Sequence, residues 1–448
     1  MSSRRPRALG ARAALASLVA LFTAGYLAPY LLPTVVGRLS AGLGLGTAQA
    51  GLVGSILLLG SASAGFTLAA HAERIGPRRA ARLGLAAMAV GYGTAAATDA
   101  VLPVVAGAVV GGFGSGTATA VAAAGIAGRP DPHRASSLGL LSVSATAGAL
   151  YLTLPHLGGG HGLPFAAIAG TALLVWPVTA WLPGGTPAVR ETAVAGPLPH
   201  RSAGAVLACG ILLWSMAQNA LWGVSGRIGL TQAGLSEVTL GMVFAAALGA
   251  GLAGVIAAGA LGSRLGRAVP IGAGTALIAG CVLLSSAAEG PVSFATGEIL
   301  WNALYPVVLS YLLGLAASLD PRGRWAVLVG SASSLGVACG PVTGSVLSEA
   351  AGYPGMGLTL CALLLLVAAP MTAVARHASG RPLAPGSIRR RGGAPAAFLA
   401  ATTSAPPSLL PQLGAPEQEV TEIAVPVTAS RRRAAGSAFR LARPTDRG

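Results

Sequence analysis

The sequence places a single carboxylate, Glu298, well inside an apolar run. Residues 291–317 contain no other charged side chain. A charge in such a place is costly, so an acid there is a functional candidate by default. Three interpretations stand. Glu298 carries a proton, because loss of water favours the neutral acid; it binds a cationic or hydrogen-bonding ligand; or it is a neutral packing residue close to one end of the run.

Other polar and aromatic side chains fall close to this acid. Asn302 and Tyr305 follow it by four and seven residues, so they share its helical face, and Trp301 lies beside them. Further candidates occur at similar depth in other apolar runs, namely Gln218, Asn219, Trp222, Tyr26, Tyr30 and Ser115. The aromatic residues could instead pack between helices or lie at a membrane surface. No run buries an arginine, so a ligand of these residues would be neutral or cationic.

The elements that must position these residues are membrane helices. The chain of 448 residues is 53% hydrophobic and only 9% charged, too little charge for the surface of a soluble protein. A crossing needs about 20 apolar residues, and the runs are rich in Ala and Leu without alternation, which favours helices over strands. Twelve spans are predicted, at residues 13–36, 48–70, 80–98, 101–127, 136–157, 163–183, 203–225, 236–262, 268–288, 291–317, 325–347 and 355–375.

The spans divide into two sets of six. The prediction is an all-α, polytopic membrane protein with six-helix bundles at 1–183 and 202–375. A polar loop, 184–201, joins them, and a cytoplasmic tail rich in Pro, Ala, Ser and Arg, 376–448, is expected to be disordered. The two sets repeat: a shift of 190 residues pairs Gly44 with Gly234, Gly51 with Gly241, Arg74 with Arg264, Gly76 with Gly266 and Arg134 with Arg324.

Arginine is concentrated on one side of the predicted spans. With the N-terminus inside, only Arg38 and Arg227 fall in outer loops. The positive-inside rule then predicts a multi-pass protein of the cytoplasmic membrane with both termini in the cytoplasm. The net charge of +16 comes from these loops and the tail, so it does not indicate nucleic-acid binding.

A charged turn separates the second and third spans. Its residues Glu73, Arg74, Gly76, Arg78 and Arg79 match the motif Gly-x3-Asp/Glu-Arg/Lys-x-Gly-x-Arg/Lys-Arg/Lys, with Ala69 in place of the first glycine. A second copy between spans 8 and 9 keeps Arg264, Gly266 and Arg267. Span 11 adds Gly336-x3-Gly340-Pro341-x2-Gly344. With twelve spans in two repeats, these motifs resemble those of the major facilitator superfamily, over about residues 10–375.

The resemblance implies a bacterial secondary active transporter that moves a small solute by alternating access, with proton coupling and export expected. Such a protein would be a monomer in the lipid bilayer, with no cofactor, no metal and no enzymatic activity. Spans 1, 4, 7 and 10 would line a central cavity. Two departures argue against a typical proton-driven drug antiporter: Ala108 replaces the arginine expected in span 4, and Leu152-Thr153 replaces the Gly-Pro expected in span 5.

The resemblance also implies a gating role for the charged turn. Glu73 would lie against the start of span 11 near Trp325, where a helix N-terminus favours a carboxylate, and the arginines would hold the cytoplasmic end shut. Asp131 is a candidate partner of Arg78. The alternatives are a solvated topology signal for the turn and, for the whole chain, an uncoupled facilitator, an importer, or a transporter-like sensor that signals through its tail.

Overall fold

The computed structural model describes residues 4–182, 197–262, 264–320 and 323–379, without the side chains of residues 4–9, 11, 66, 68–74 and 379. Within these ranges every regular element is helical, as the sequence predicts. Most of the predicted central loop and nearly all of the predicted tail lie outside them, so the disorder and location of the tail stay predictions, as does the division into two bundles.

The helices follow the predicted spans closely. They are α1 (Arg4–Tyr30), α2 (Leu32–Leu43), α3 (Thr47–Ile75), α4 (Pro77–Ala97), α5 (Val101–Ala127), α6 (Pro132–Thr153), α7 (Gly162–Val175), α8 (Arg201–Arg227), α9 (Glu237–Leu261), α10 (Ala268–Ser286), α11 (Pro291–Leu319) and α12 (Arg324–Ser379). Short 3-10 turns follow α6 and α7, at Leu154–His156 and Pro177–Trp181, and a π-helical turn follows α8, at Ile228–Gln232.

The first predicted span is two helices, α1 and α2. They break at Leu31, which has φ −92° and ψ 6° and lies between Pro29 and Pro33. A proline has no N–H, so each of the two removes one helical hydrogen bond. The carbonyl of Pro29 would normally accept from the residue four positions on, but that residue is Pro33. It is therefore left for a partner outside the helix.

The last two predicted spans form the single element α12. Its 56 residues would extend about 84 Å as a straight helix, far more than one crossing needs. Gly352 interrupts it with a non-helical backbone, φ 68° and ψ 172°. Ten helices in the described part of the chain are long and apolar enough to cross a membrane, with α12 counted once and α4 not counted. The number twelve stays a prediction.

The 190-residue repeat is visible in the backbone. Gly44 and Gly234, which the shift pairs, have φ of +63° and +67°. Gly76 and Gly266, a second pair, have φ of +72° and +64°. Residues with a Cβ rarely adopt positive φ, so glycine is favoured at all four turns. The two repeats therefore share glycines with positive φ at corresponding places.

The helices before and after the undescribed segment 183–196 meet at one end of the molecule, called here the Arg38 end, where α2 ends and α3 and α9 begin. Two glycines make the closest approaches. A Cβ added to Gly51 on α3 would lie 2.1 Å from Ser345 Oγ on α12, and one added to Gly241 on α9 would lie 2.2 Å from the Tyr151 carbonyl oxygen on α6. The shift pairs these two glycines, so the contacts are related by the repeat.

Candidate functional site

A cavity of about 160 Å³ lies among helices from both parts of the chain. Seven of the residues singled out from the sequence line it: Tyr26, Tyr30, Asn219, Trp222, Trp301, Asn302 and Tyr305. A cavity of about 150 Å³ engineered in another protein holds one benzene molecule. The space is therefore large enough for a small organic molecule.

Two tryptophans form much of the aromatic wall, and hydrogen bonds fix both. The indole N–H of Trp222 donates to the Pro29 carbonyl oxygen at 3.1 Å, which is the carbonyl that Pro33 leaves without a helical donor. The indole N–H of Trp301 donates to Gln218 Oε1 at 2.8 Å. The centroids of the two indole rings are 5.7 Å apart. Both rings therefore have set orientations in the cavity wall.

Gln218 does not line the cavity but positions a residue that does. It is fully buried, and its Nε2 donates to the Trp214 carbonyl oxygen at 3.3 Å, so its amide spans from the backbone of α8 to Trp301. Trp214 in turn stacks on Tyr305 with the ring centroids 5.1 Å apart. Gln218 and Trp214 thus form a second layer behind the aromatic wall.

Glu298 also lies outside the cavity wall. Its side chain is fully buried, and Oε1 accepts a hydrogen bond from Ser225 Oγ on α8 at 2.8 Å. Ser285 on α10 is a second hydroxyl beside the carboxyl group, but neither its Oγ nor Glu298 Oε2 makes a hydrogen bond of ordinary geometry. No described cation pairs with this acid. Asn302 lies next to it in the same helix and lines the cavity, and its Nδ2 donates to the backbone carbonyl oxygen of Glu298 at 3.0 Å.

Ser115 and the rest of α5 do not reach the cavity, contrary to the expectation that span 4 would line it. Ser115 is buried and shares a hydrogen bond of 3.0 Å with the Tyr92 hydroxyl on α4. Helix α3 covers α5 because Gly112 and Gly116 lack side chains: an added Cβ would lie 2.2 Å from the Leu57 carbonyl oxygen and 2.0 Å from that of Ser61, respectively. The glycine spacing in span 4 is the signal that could have indicated this packing.

Several cavity residues were not singled out from the sequence. They come from α3, α6, α9 and α12 and include Leu58, Ser61, Ser144, Gly251, Leu252, Ser334 and Val337. None carries a charge or an unusual local pattern, so the sequence offers little signal for them. Their position depends on how the helices pack.

The charged turns lie at the opposite end, called here the Gly76 end. Arg78 Nε donates to the Leu182 carbonyl oxygen at 2.6 Å, and Arg79 is exposed. In the second copy, Arg267 Nη1 donates to Ser318 Oγ at 2.6 Å, while Arg264 is exposed. The side chains of Glu73 and Arg74 lie outside the described residues, so the contact predicted between Glu73 and the start of span 11 stays a prediction.

The suggested pairing of Arg78 with Asp131 is wrong. Asp131 is the N-cap of α6, where Oδ1 accepts from the backbone N–H of Arg134 at 2.9 Å. No ion pair joins it to Arg78, although the structure describes both side chains. Aspartate followed by proline is a common start of a helix, so the dipeptide Asp131-Pro132 could have indicated the cap.

Polar contacts close the Arg38 end. Arg38 Nη2 pairs with Glu237 Oε2 at 3.1 Å and also donates to the Leu154 carbonyl oxygen at 3.2 Å. Glu349 Oε1 accepts from the Ala48 N–H at the start of α3, at 2.7 Å. The first and third of these contacts join helices from the two repeats, as does the bond from Trp222 to Pro29. These contacts therefore hold the two repeats together at the Arg38 end.

Comparison with known protein families identifies the fold. The family model of the major facilitator superfamily matches residues 13–324, more than half of the chain. The chain belongs to the major facilitator superfamily. As a member of this superfamily, it is a multi-pass membrane transporter, in agreement with the motifs that the sequence shows.

Solved structures of other transporters have the same fold. The chain is 12% identical to a mutant of the nucleoside transporter NupG, with a TM-score of 0.65, covering 80% of this chain and 99% of that one. It is 18% identical to the human organic anion transporter TETRAN, with a TM-score of 0.58 and the same coverage. It is 13% identical to a POT family transporter in complex with 5-aminolevulinic acid, with a TM-score of 0.66, covering 82% and 96%. Among curated proteins, none matches this sequence.

Proposed function

We propose that this protein is a secondary active transporter that moves a small neutral or cationic solute across the cytoplasmic membrane by alternating access, with proton coupling and export. The observation that carries this proposal is the aromatic cavity, which draws on helices of both repeats and is closed at the Arg38 end. Repeats that move against each other around a central site are the general design of such transporters.

Arginine supports an orientation with the Gly76 end in the cytoplasm. Arg74, Arg78, Arg79, Arg264 and Arg267 all lie at that end, and the positive-inside rule places such residues on the cytoplasmic side. In this orientation the structure is closed to the outside. Both termini would then be cytoplasmic.

Glu298 supports proton coupling. A buried carboxylate without a cationic partner is costly as an ion, and the Ser225 hydroxyl can donate to either form of the acid. We propose that Glu298 takes up a proton when the Arg38 end is open to the outside, holds it in this closed state, and releases it when the Gly76 end opens to the cytoplasm. Asn302, four residues further along α11, is bonded to the backbone carbonyl of Glu298 and lines the cavity, so the acid and the cavity wall belong to the same helical segment.

The transport proposal is tested by untargeted mass spectrometry of cells and medium, comparing a deletion strain with an overexpressing strain. Export predicts a compound that accumulates in the medium on overexpression and inside the cells on deletion. The mirror pattern would establish import instead. Equal metabolite pools in both strains, across several growth conditions, would contradict transport and favour the sensor interpretation.

Once a compound is found, proton coupling is tested in proteoliposomes. Glu298→Gln keeps the size of the side chain but cannot carry a proton, so transport should lose its dependence on a pH gradient. Glu289→Gln is a matched control, because Glu289 is exposed in the loop before α11. A pH-gradient response in Glu298→Gln equal to that of the wild type would remove the proton role.

A further inference from the structure

The walls of the cavity contain chemistry that restricts the class of solute, beyond the neutral or cationic solute proposed above. None of the described residues that line it is charged. The nearest acid, Glu298, is fully buried and bonded to Ser225. An anion would find no arginine or histidine in the described wall. A cation would find no carboxylate and could be held only through the faces of the aromatic rings. An uncharged molecule needs no counter-ion, so the wall suits it best.

The N–H groups of the two indole rings are not available to a ligand. Both N–H groups are already bonded to the protein, Trp222 to Pro29 and Trp301 to Gln218. Tyr305 meets Trp301 at 69° with centroids 6.3 Å apart, so the rings enclose the space from different sides. Aromatic faces bind flat apolar surfaces well, and their fixed orientation lowers the entropy cost of binding.

Two amide side chains in the wall, Asn302 and Asn219, offer acceptor oxygens. Asn302 Nδ2 donates to the Glu298 carbonyl oxygen. A carbonyl oxygen can only accept, so the orientation of this amide is determined and Oδ1 is its free acceptor. Asn219 is arranged in a similar way, with Nδ2 donating to the Ser215 carbonyl oxygen at 2.9 Å. Both Oδ1 atoms are therefore acceptors in the wall, and that of Asn302 belongs to the residue next to Trp301.

From these features we infer that the solute is an uncharged, flat molecule with an N–H or O–H group, which stacks against Trp301 and donates to Asn302 Oδ1. This inference rests on the proposed transport function, because it assigns the cavity to the cargo. It also narrows the proposal to an uncharged solute, and the ammonium probe below tests the competing case of a cation held by the aromatic faces alone. The cavity volume of about 160 Å³ suits a molecule with one ring or two fused rings.

Four probes with one ring system test the inference. They are 2-quinolinone, which is neutral and has an N–H; N-methyl-2-quinolinone, which lacks it; quinolin-2-ylmethylammonium, a cation; and quinoline-2-carboxylate, an anion. Their dissociation constants are measured by equilibrium dialysis against the full-length protein in lipid nanodiscs, after subtraction of binding to empty nanodiscs. We expect 2-quinolinone to bind about ten-fold more tightly than either ion. N-methylation should cost about five-fold, the worth of one hydrogen bond.

Variants assign the binding to the cavity. Trp301→Leu should weaken 2-quinolinone about ten-fold, because the stacking face is lost. Asn302→Leu should abolish the difference between 2-quinolinone and its N-methyl derivative while both still bind. Thr275→Val is the control: Thr275 is buried on α10, outside the cavity wall, and its hydroxyl has no partner, so binding should not change.

The inference is overturned if the ammonium probe binds most tightly, if no probe binds, or if Trp301→Leu binds all probes as the wild type does. These outcomes are separate from failure of the transport proposal. Dialysis measures binding without transport, whereas the metabolite comparison measures transport without any assumption about cargo. A charged compound moved by the cells would refute the solute class and leave transport intact.

Discussion

Gly241 allows a sharp test of how the Arg38 end closes. An alanine there would place its Cβ 2.2 Å from the Tyr151 carbonyl oxygen, a backbone atom that cannot rotate away, whereas ordinary contact begins at 3.4 Å. Helices α6 and α9 would have to separate by about 1 Å. Overpacking of this kind costs about 1–3 kcal/mol.

This cost falls on the closed state alone if α6 and α9 part when the end opens. The ratio of closed to open molecules should then fall by about 5-fold to 150-fold. Gly249→Ala is the matched control on the same helix, because nothing lies within 4 Å of its added Cβ. Both variants gain the same helix propensity of about 1 kcal/mol, so that gain cancels in the comparison.

The assay is a distance distribution between two spin labels at the Arg38 end, measured by double electron–electron resonance. Gly159 and Glu289 are suitable positions, because both are exposed and lie in loops of different repeats. The labels are introduced as cysteines after replacement of the four native ones, Cys209, Cys281, Cys339 and Cys361. Gly241→Ala should increase the long-distance population, and Gly249→Ala should match the parent.

Identical distributions for the two variants would refute the reasoning, since they would show that the approach of α9 to α6 is not needed for closure. A second variant guards against a fold defect in the first. Gly51→Ala meets Ser345 Oγ at 2.1 Å in the related contact and should shift the distribution in the same direction. Elution as a single species on gel filtration checks the fold of each variant.

Two further predictions concern charged residues. Glu237→Gln should favour the open Arg38 end by about 1 kcal/mol, the upper range for an exposed pair, because the Arg38 side chain is 8% exposed and that of Glu237 is 46% exposed. The double exchange Arg38→Glu with Glu237→Arg should restore part of the closed population in the same label assay. A failure of both effects would show that the ion pair does not contribute to closure. Glu73→Ala should lower transport of the identified compound while membrane insertion, measured by surface protein level, stays normal; unchanged transport would exclude the gating role.

The sequence predicted the helices well, because the bilayer itself dictates their length and apolar character. The ends of α5 agree with the predicted span 101–127. The charged turns were also recognisable, since Gly76 and Gly266 must adopt positive φ. These features depend on local chemistry, which a single sequence displays.

The arrangement of the cavity could be predicted only in part. Trp301, Asn302 and Tyr305 line it as helical spacing suggested, but Glu298, on the same predicted face, turns to Ser225 instead. The contribution of α3 depends on Gly112 and Gly116, whose small size matters only once the neighbouring helix is known. Packing between segments that are distant in the sequence determines these contacts, and the local spacing of residues does not encode it.

Trp222 gives the cavity and the Arg38 end a thermodynamic connection. Its ring lines the cavity, while its N–H binds a carbonyl in the other repeat. A cargo that favours the observed ring position must stabilise the shut conformation, and one that displaces the ring must promote release to that side. By reciprocity, the conformation changes the affinity for cargo by the same factor. The hydrogen bond from the Trp222 indole to the Pro29 carbonyl, which Pro33 leaves without a helical donor, thus couples the loading of the cavity to the state of the Arg38 end.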